Sequence, residues 1–196
     1  MPRLLKQQAV GNHLRRLRTQ AGMSVRALAK KTGFSASFMS QVENGQVSPS
    51  IHSMEEIAAA LGVGLGEFFV AASDGEGGLV VRAASRQTLG SRWSNAEIEA
   101  LISSGSIARL EAILITLRPG GRSGKHPYPH AREEFAFVLQ GSVILVLGPE
   151  EYRLRRGDSA TILPGELRLW RNDSATTAKV LVITSPIGNP PVRRSR

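Results

Sequence analysis

The chain has 196 residues, 41% apolar and 21% charged, the make-up of an ordinary folded protein with room for two small domains. It contains no cysteine, which excludes disulfides, thiolate zinc sites and thiol catalysis. Its formal charge is +9 and unevenly spread: eight basic residues (Arg3, Lys6, Arg15, Arg16, Arg18, Arg26, Lys30, Lys31) and no acid precede Glu43, a field suited to a polyanion.

Unbroken apolar runs such as Phe68–Ala72 and Val143–Leu147 are five residues long, whereas a membrane span needs about 20. Met1–Ala21 is basic without an apolar core, so it does not read as a secretory signal. A soluble, cytoplasmic protein with no membrane partner is expected.

In chain order, Val10, Leu14, Leu17 and Ala21 recur at helical spacing and predict a first helix that Gly22 ends. Ser24 is placed to cap a second helix, Val25–Thr32, which Gly33 closes. Ser35 caps a third, with Phe38, Met39 and Val42 apolar and Gly45 as the stop. Ser37, Ser40, Gln41 and Asn44 fall on its outward face, short polar groups able to bond phosphates or base edges. After Ser48-Pro49-Ser50, a fourth helix carries Met54, Ile57, Ala58 and Leu61, and Leu65–Val70 suggests a further short turn.

Asp74-Gly75-Glu76-Gly77-Gly78 reads as a linker over residues 71–79. Beyond it the period changes. Ala96–Ile102, Ile107–Leu117, Phe135–Leu139, Ser142–Leu147, Ala160–Leu163 and Val180–Ser185 are short strand-like runs punctuated by Gly and Pro, the pattern of a sandwich or barrel over 80–186. Residues 187–196 form a basic, Pro-rich tail.

The helical half, residues 8–70, resembles the xenobiotic-response-element (XRE) family, the lambda-repressor-like five-helix DNA-binding domain. The resemblance rests on Met23–Gly33, Ser40-Gln41-Val42-Glu43-Asn44-Gly45, Ser48-Pro49-Ser50 and Ile57–Val63. It implies a helix-turn-helix whose third helix enters the major groove. Ala36, Ser37 and Gln41 then stand where the family reads bases, Gln41 toward adenine, Ser37 toward either base type and Ala36 toward a thymine methyl. Ser35, Ser40, Asn44, Val25, Arg26 and Lys30 complete the expected DNA-binding set. Val25 departs from the family's usual Gln, which grips a phosphate. Arg18 and Glu43 match the pair that ties the first helix to the third.

In the strand-rich half, Pro119-Gly120-Gly121, His126, His130, Glu133-Glu134, Gly141, Gly157-Asp158, Pro164 and Asn172 come in an order that resembles the cupin family, a double-stranded β-helix (jelly-roll) barrel, over residues 107–186. Metal-binding cupins hold an ion with His-x-His, a Glu four residues later and a third His three before an Asn. Here the second His is His130 and the Glu is Glu134, but Tyr128 stands for the first His and Leu169 for the last. No metal and no other cofactor is therefore expected, and no catalytic residue is assigned. Glu134, Ala136 and Val138 share one strand face, Leu167, Leu169 and Arg171 another. Tyr128, His130, Glu134, Leu169, His126 and Arg171 are read as an effector pocket.

The order of the two domains resembles the XRE–cupin transcriptional regulators. This implies a multidomain α + β protein, a non-enzymatic homodimer that binds double-stranded DNA at a palindromic operator and senses a small-molecule effector. A metal-dependent cupin enzyme with an accessory DNA-binding domain, and a DNA-binding protein whose barrel serves only dimerisation, are the rival readings.

Overall fold

The computed structural model describes residues 3–4, 7–65, 80–91, 94–102 and 110–185. Four helices form the N-terminal unit: α1 (Gln7–Gln20), α2 (Val25–Thr32), α3 (Ala36–Glu43) and α4 (Ile51–Leu61). Three starts are capped by a serine hydroxyl: Ser24 accepts from the Ala27 amide, Ser35 from Phe38 and Ser50 from Ser53. Gly33 ends α2 in the left-handed region at φ 74°, which is where a residue without Cβ is favoured. These four are the α-helices among the described residues; the further turn expected over Leu65–Val70 lies outside them after residue 65.

The buried faces follow the helical spacing. Val10 and Leu14 of α1, Leu28 of α2, Met39 and Val42 of α3, and Met54 and Ile57 of α4 are all at most 3% exposed. Gly11 is what lets α1 approach α3 so closely. A Cβ there would lie 2.5 Å from the carbonyl oxygens of Val42 and Glu43. Across the same contact, Arg18 Nη2 donates to Glu43 Oε2 at 3.0 Å and Arg18 Nη1 to the Met23 carbonyl at 2.6 Å. Glu43 itself is 2% exposed, so its charge requires this partner.

The second unit consists of two sheets. The larger takes β1 (Arg3–Leu4), β2 (Gln87–Ser91), β3 (Ala96–Ala100), β4 (Glu111–Leu117), β6 (Glu134–Gln140), β9 (Ser159–Ile162) and β11 (Ala178–Thr184), in the order β1-β2-β3-β4-β11-β6-β9. The smaller takes β5 (Tyr128–Pro129), β7 (Ser142–Leu147), β8 (Glu150–Arg155) and β10 (Leu167–Arg171), in the order β5-β10-β7-β8. In β11, buried Ala178, Val180, Val182 and Thr184 alternate with half-buried residues, the period-2 signature of a sheet with one face on a core. Asn172 is fully buried and donates to the carbonyls of Leu117 and Thr176 at 2.9 and 2.8 Å, pinning the turn after β10.

Two strands depart from the sequence reading. Strand β8 has no inward apolar alternation because it is an edge, paired among the described residues with β7 alone and almost wholly exposed. In β10 the inward face is Arg168 and Trp170, at 2% and 1% exposure, whereas Leu169 packs with Ile144 and Val146 in a separate small cluster. The face of Leu167, Leu169 and Arg171 is therefore not the pocket wall it was expected to be.

The helical unit sits against the barrel. The His52 amide donates to the Ser123 carbonyl at 3.1 Å, and the Ser48 hydroxyl to the Gly90 carbonyl at 2.8 Å. One continuous set of buried apolar residues runs from the helical core into the barrel.

Candidate functional site

On the helical unit, Ser37, Ser40, Gln41 and Asn44 are exposed along one side of α3, while Met39 and Val42 hold the other side in the core. This gives a rigid helix presenting short polar groups, with no acid in its first turn to oppose an approaching phosphate. Ser35 is exposed but its hydroxyl is engaged as the cap of α3. Arg26 and Lys30 are exposed on α2, beside this face in sequence order. Val25 and Ala36 are partly buried against the core, so they share the region without standing fully on the open face. Arg15, one of the basic residues that precede Glu43, donates to Glu43 Oε2 at 3.2 Å and to Asn44 Oδ1 at 2.7 Å.

At the barrel mouth, β5 and β6 bring Tyr128, His130 and Glu134 together, and β10 adds Arg168, which the sequence reading missed. Arg168 Nη2 donates to Glu134 Oε1 at 2.8 Å, and its Nε donates to Glu134 Oε2. The same Nη2 reaches Glu55 Oε1 on α4 at 3.0 Å. Its guanidinium lies 4.7 Å from the centroid of the Tyr128 ring, and the His52 ring stacks on Tyr128 at 3.8 Å between centroids. His130 Nδ1 lies 3.2 Å from the Arg132 carbonyl and 3.4 Å from Glu134 Oε1. A carbonyl can only accept, so His130 Nδ1 is the donor in the contact to Arg132.

Burial alone would lower the Arg168 pKa, but Glu55, Tyr128 and Glu134 hold it well above its usual value and hence permanently charged. Burial pushes the Tyr128 phenol well above its usual range and holds the His52 imidazole below its own. The remaining sequence candidates are elsewhere. His126 is exposed, Leu169 faces the other side of β10, and Arg171 is engaged by Glu151 and Asp173.

One atom each from Glu55, His130 and Glu134 lie within 4.8 Å of one another, the geometry of a possible cation site. These residues do not fit the ion that the cupin fold implies. Both Glu134 oxygens are already held by a guanidinium, and Tyr128 and Leu169 occupy two of the expected histidine positions. Arg168 supplies the positive charge at the carboxylates.

Between α4 and the barrel mouth is a cleft of about 570 Å³, lined by Glu55, Glu56, Val63, Ile113, His130 and Arg132 among others. Its size is that of a small-molecule site.

A helix-turn-helix unit with an open recognition face, packed on a cupin barrel whose mouth holds polar groups, defines a two-domain DNA-binding class of protein. A family described as helix-turn-helix domain matches residues 9–68, and a cupin domain matches residues 113–184. The chain is 30% identical over 159 residues to the HTH-type transcriptional regulator PuuR of Escherichia coli (strain K12), covering 80% of this chain and 84% of that protein. It is 35% identical over 54 residues to the uncharacterized HTH-type transcriptional regulator y4dJ of Sinorhizobium fredii, covering 28% of this chain and 70% of that one. The crystal structure of an HTH_3 family transcriptional regulator from Vibrio cholerae shares the fold, with a TM-score of 0.72 at 22% identity, covering 92% of this chain and 96% of that chain. The chain belongs to the family of HTH-type transcriptional regulators that join a helix-turn-helix domain to a cupin domain. Among the described residues, no helix is long and apolar enough to cross a membrane.

Proposed function

We propose that the protein is a homodimeric, sequence-specific transcriptional regulator of the cytoplasm. It reads a palindromic operator with α3 and senses a small molecule where α4 meets the barrel mouth. The observation that carries this reading is the exposed row Ser37, Ser40, Gln41 and Asn44 on a helix whose opposite face is locked in the core. Such a helix can present base-reading groups in the major groove without reorganising. Family membership supports the assignment to transcription.

A non-enzymatic barrel is supported by Glu134. The carboxylate that would serve as acid or base is clamped by Arg168 through both oxygens. A small-molecule signal requires different affinity for two arrangements of the DNA-binding units. The direct seat of α4 on the barrel provides a route for this.

Nuclease footprinting and sedimentation of the protein on a bound fragment test the reading together. The expected result is two protected half-sites about 34 Å apart, related by a two-fold axis, with two chains per fragment. A single unsymmetrical footprint with one chain per fragment contradicts the dimer.

A further inference from the structure

The two sheets of the barrel turn different chemistry outward. On the smaller sheet the outward residues of β8 are Glu151, Arg153 and Arg155, and Arg171 of β10 bonds Glu151 there. On the larger sheet the outward residues of β6 are Phe135, Phe137 and Leu139, because Glu134, Ala136 and Val138 point into the core. The strand register carries this apolar face across the sheet. Leu181 of β11 pairs with Phe137 and Leu114, and Ile183 with Phe135 and Ala112. Phe135 is 44% exposed and Leu139 43%, and Leu163, just beyond β9, is 54% exposed. Contiguous apolar side chains on an open sheet face mark a surface that another molecule covers.

Two charges border this face, at opposite ends. Lys179 near the start of β11 pairs with Gln140, whereas Glu133 precedes β6, its carbonyl accepting from the Ser185 amide at 3.0 Å. Glu133 is exposed and Lys179 half-buried, and neither forms an ion pair among the described residues. Between them lie the row of Leu181 and Phe137 and the row of Ile183 and Phe135. A two-fold axis in the plane of the face, running across the strands midway between these rows, lays each row on the other row of a second copy. The same axis brings Lys179 to the end where the partner's Glu133 stands, and it does so twice.

We propose that the outer face of β4, β11, β6 and β9 is the homodimer interface, packed face to face on a second copy with Lys179 and Glu133 as reciprocal ion pairs at its ends. Sheets stacked in this way lie about 10 Å apart. Such a contact is isologous and closes at two chains, because each face is covered by its mate. The charge pattern fits a second copy. A nucleic acid requires an excess of positive charge, and an acidic peptide would find one lysine. No residue of the helical unit takes part, so the dimer forms without DNA. The inference rests on the homodimer reading above, whose contact surface it names.

The test is sedimentation velocity of the full chain without DNA over a range of concentrations. Wild type is compared with Phe135→Lys, Lys179→Glu, Glu133→Lys, an equimolar mixture of the last two, and Arg153→Glu as a control on the smaller sheet. A two-chain species is expected for wild type and Arg153→Glu, and its loss for Phe135→Lys. Either charge reversal alone should weaken association about tenfold or more. The mixture should regain the dimer, since the Lys179→Glu and Glu133→Lys chains restore opposite charges at both ends. A role for either residue within its own chain provides no such rescue, and the mixture decides if thermal melts show that Phe135→Lys does not fold. Wild-type association in a folded Phe135→Lys, a mixture no tighter than its components, or dissociation by Arg153→Glu would overturn the interface. Chains that are single in solution yet paired on operator DNA refute this surface and leave the homodimer standing. Chains that stay single on DNA as well refute both.

Discussion

Arg168 of the barrel bonds Glu55 of α4 at 3.0 Å while its other donors hold Glu134, so one buried side chain joins the two domains. Its removal leaves two carboxylates facing each other without a counter-charge. Arg168→Met is expected to cost about 3–5 kcal/mol of stability, read as a shift in the urea midpoint. Adding Glu134→Gln should recover part of the loss, because one of the stranded charges is gone. A single variant as stable as wild type would show that the guanidinium does not hold these charges.

The His52–Tyr128 stack makes the same junction sensitive to pH. Burial lowers the His52 pKa, the Glu55 charge acts in the opposite sense, and Arg168 adds to the lowering. The folded protein therefore keeps His52 neutral at a pH where the unfolded chain, with a pKa of about 6.5, already takes up a proton. This contribution is fully present above about pH 6.5 and is lost as pH falls through the lower, folded-state value. Hydrogen-exchange protection of the His52 amide, which donates to Ser123, should drop on acidification, and His52→Gln should flatten the drop. An unchanged slope in the variant would assign the effect to another group.

Gly11 predicts a local intolerance on the helical unit. Gly11→Ala places a methyl 2.5 Å from two backbone carbonyls of α3, and neither can swing aside. A loss of about 1–3 kcal/mol is expected, whereas Asn12→Ala, one residue on and exposed, should stay within about 0.5 kcal/mol of wild type. Thermal melts of the two variants, run side by side, distinguish these outcomes.

How much of this was legible in the sequence depended on the range of the signal. Serines at 24 and 35 marked two helix starts because capping is local chemistry, and Ser50, read only as part of the break before the fourth helix, caps that one in the same way. The alternation of Glu134, Ala136 and Val138 similarly named the inward face of β6. The face of β10 was misread because Leu167 and Leu169 imitate a core stripe, while the inward pair is Arg168 and Trp170. Only the matching carboxylates reveal why an arginine is buried there. One of them, Glu55, is 113 residues away in the chain, a separation at which no periodicity carries information.

Phosphate contacts have their own signature. Lys30 is exposed on α2 and forms no ion pair among the described residues. Lys30→Ala should weaken binding to all DNA sequences alike and reduce the slope of log affinity against log salt by about 0.9. Titrations at several salt concentrations check it, and a change confined to one sequence would make Lys30 a base reader instead.

The most direct test of the regulator reading is selection of genomic DNA fragments by the purified protein at two salt concentrations, with Gln41→Ala alongside. Gln41 is exposed on α3, and a bidentate contact to a base is worth about 1–3 kcal/mol of discrimination. A short inverted repeat enriched at physiological salt, with preference relaxed at one position in each half by Gln41→Ala, is the expected result. Enrichment without a motif that vanishes as salt rises, or a motif indifferent to Gln41→Ala, would contradict α3 as the reader.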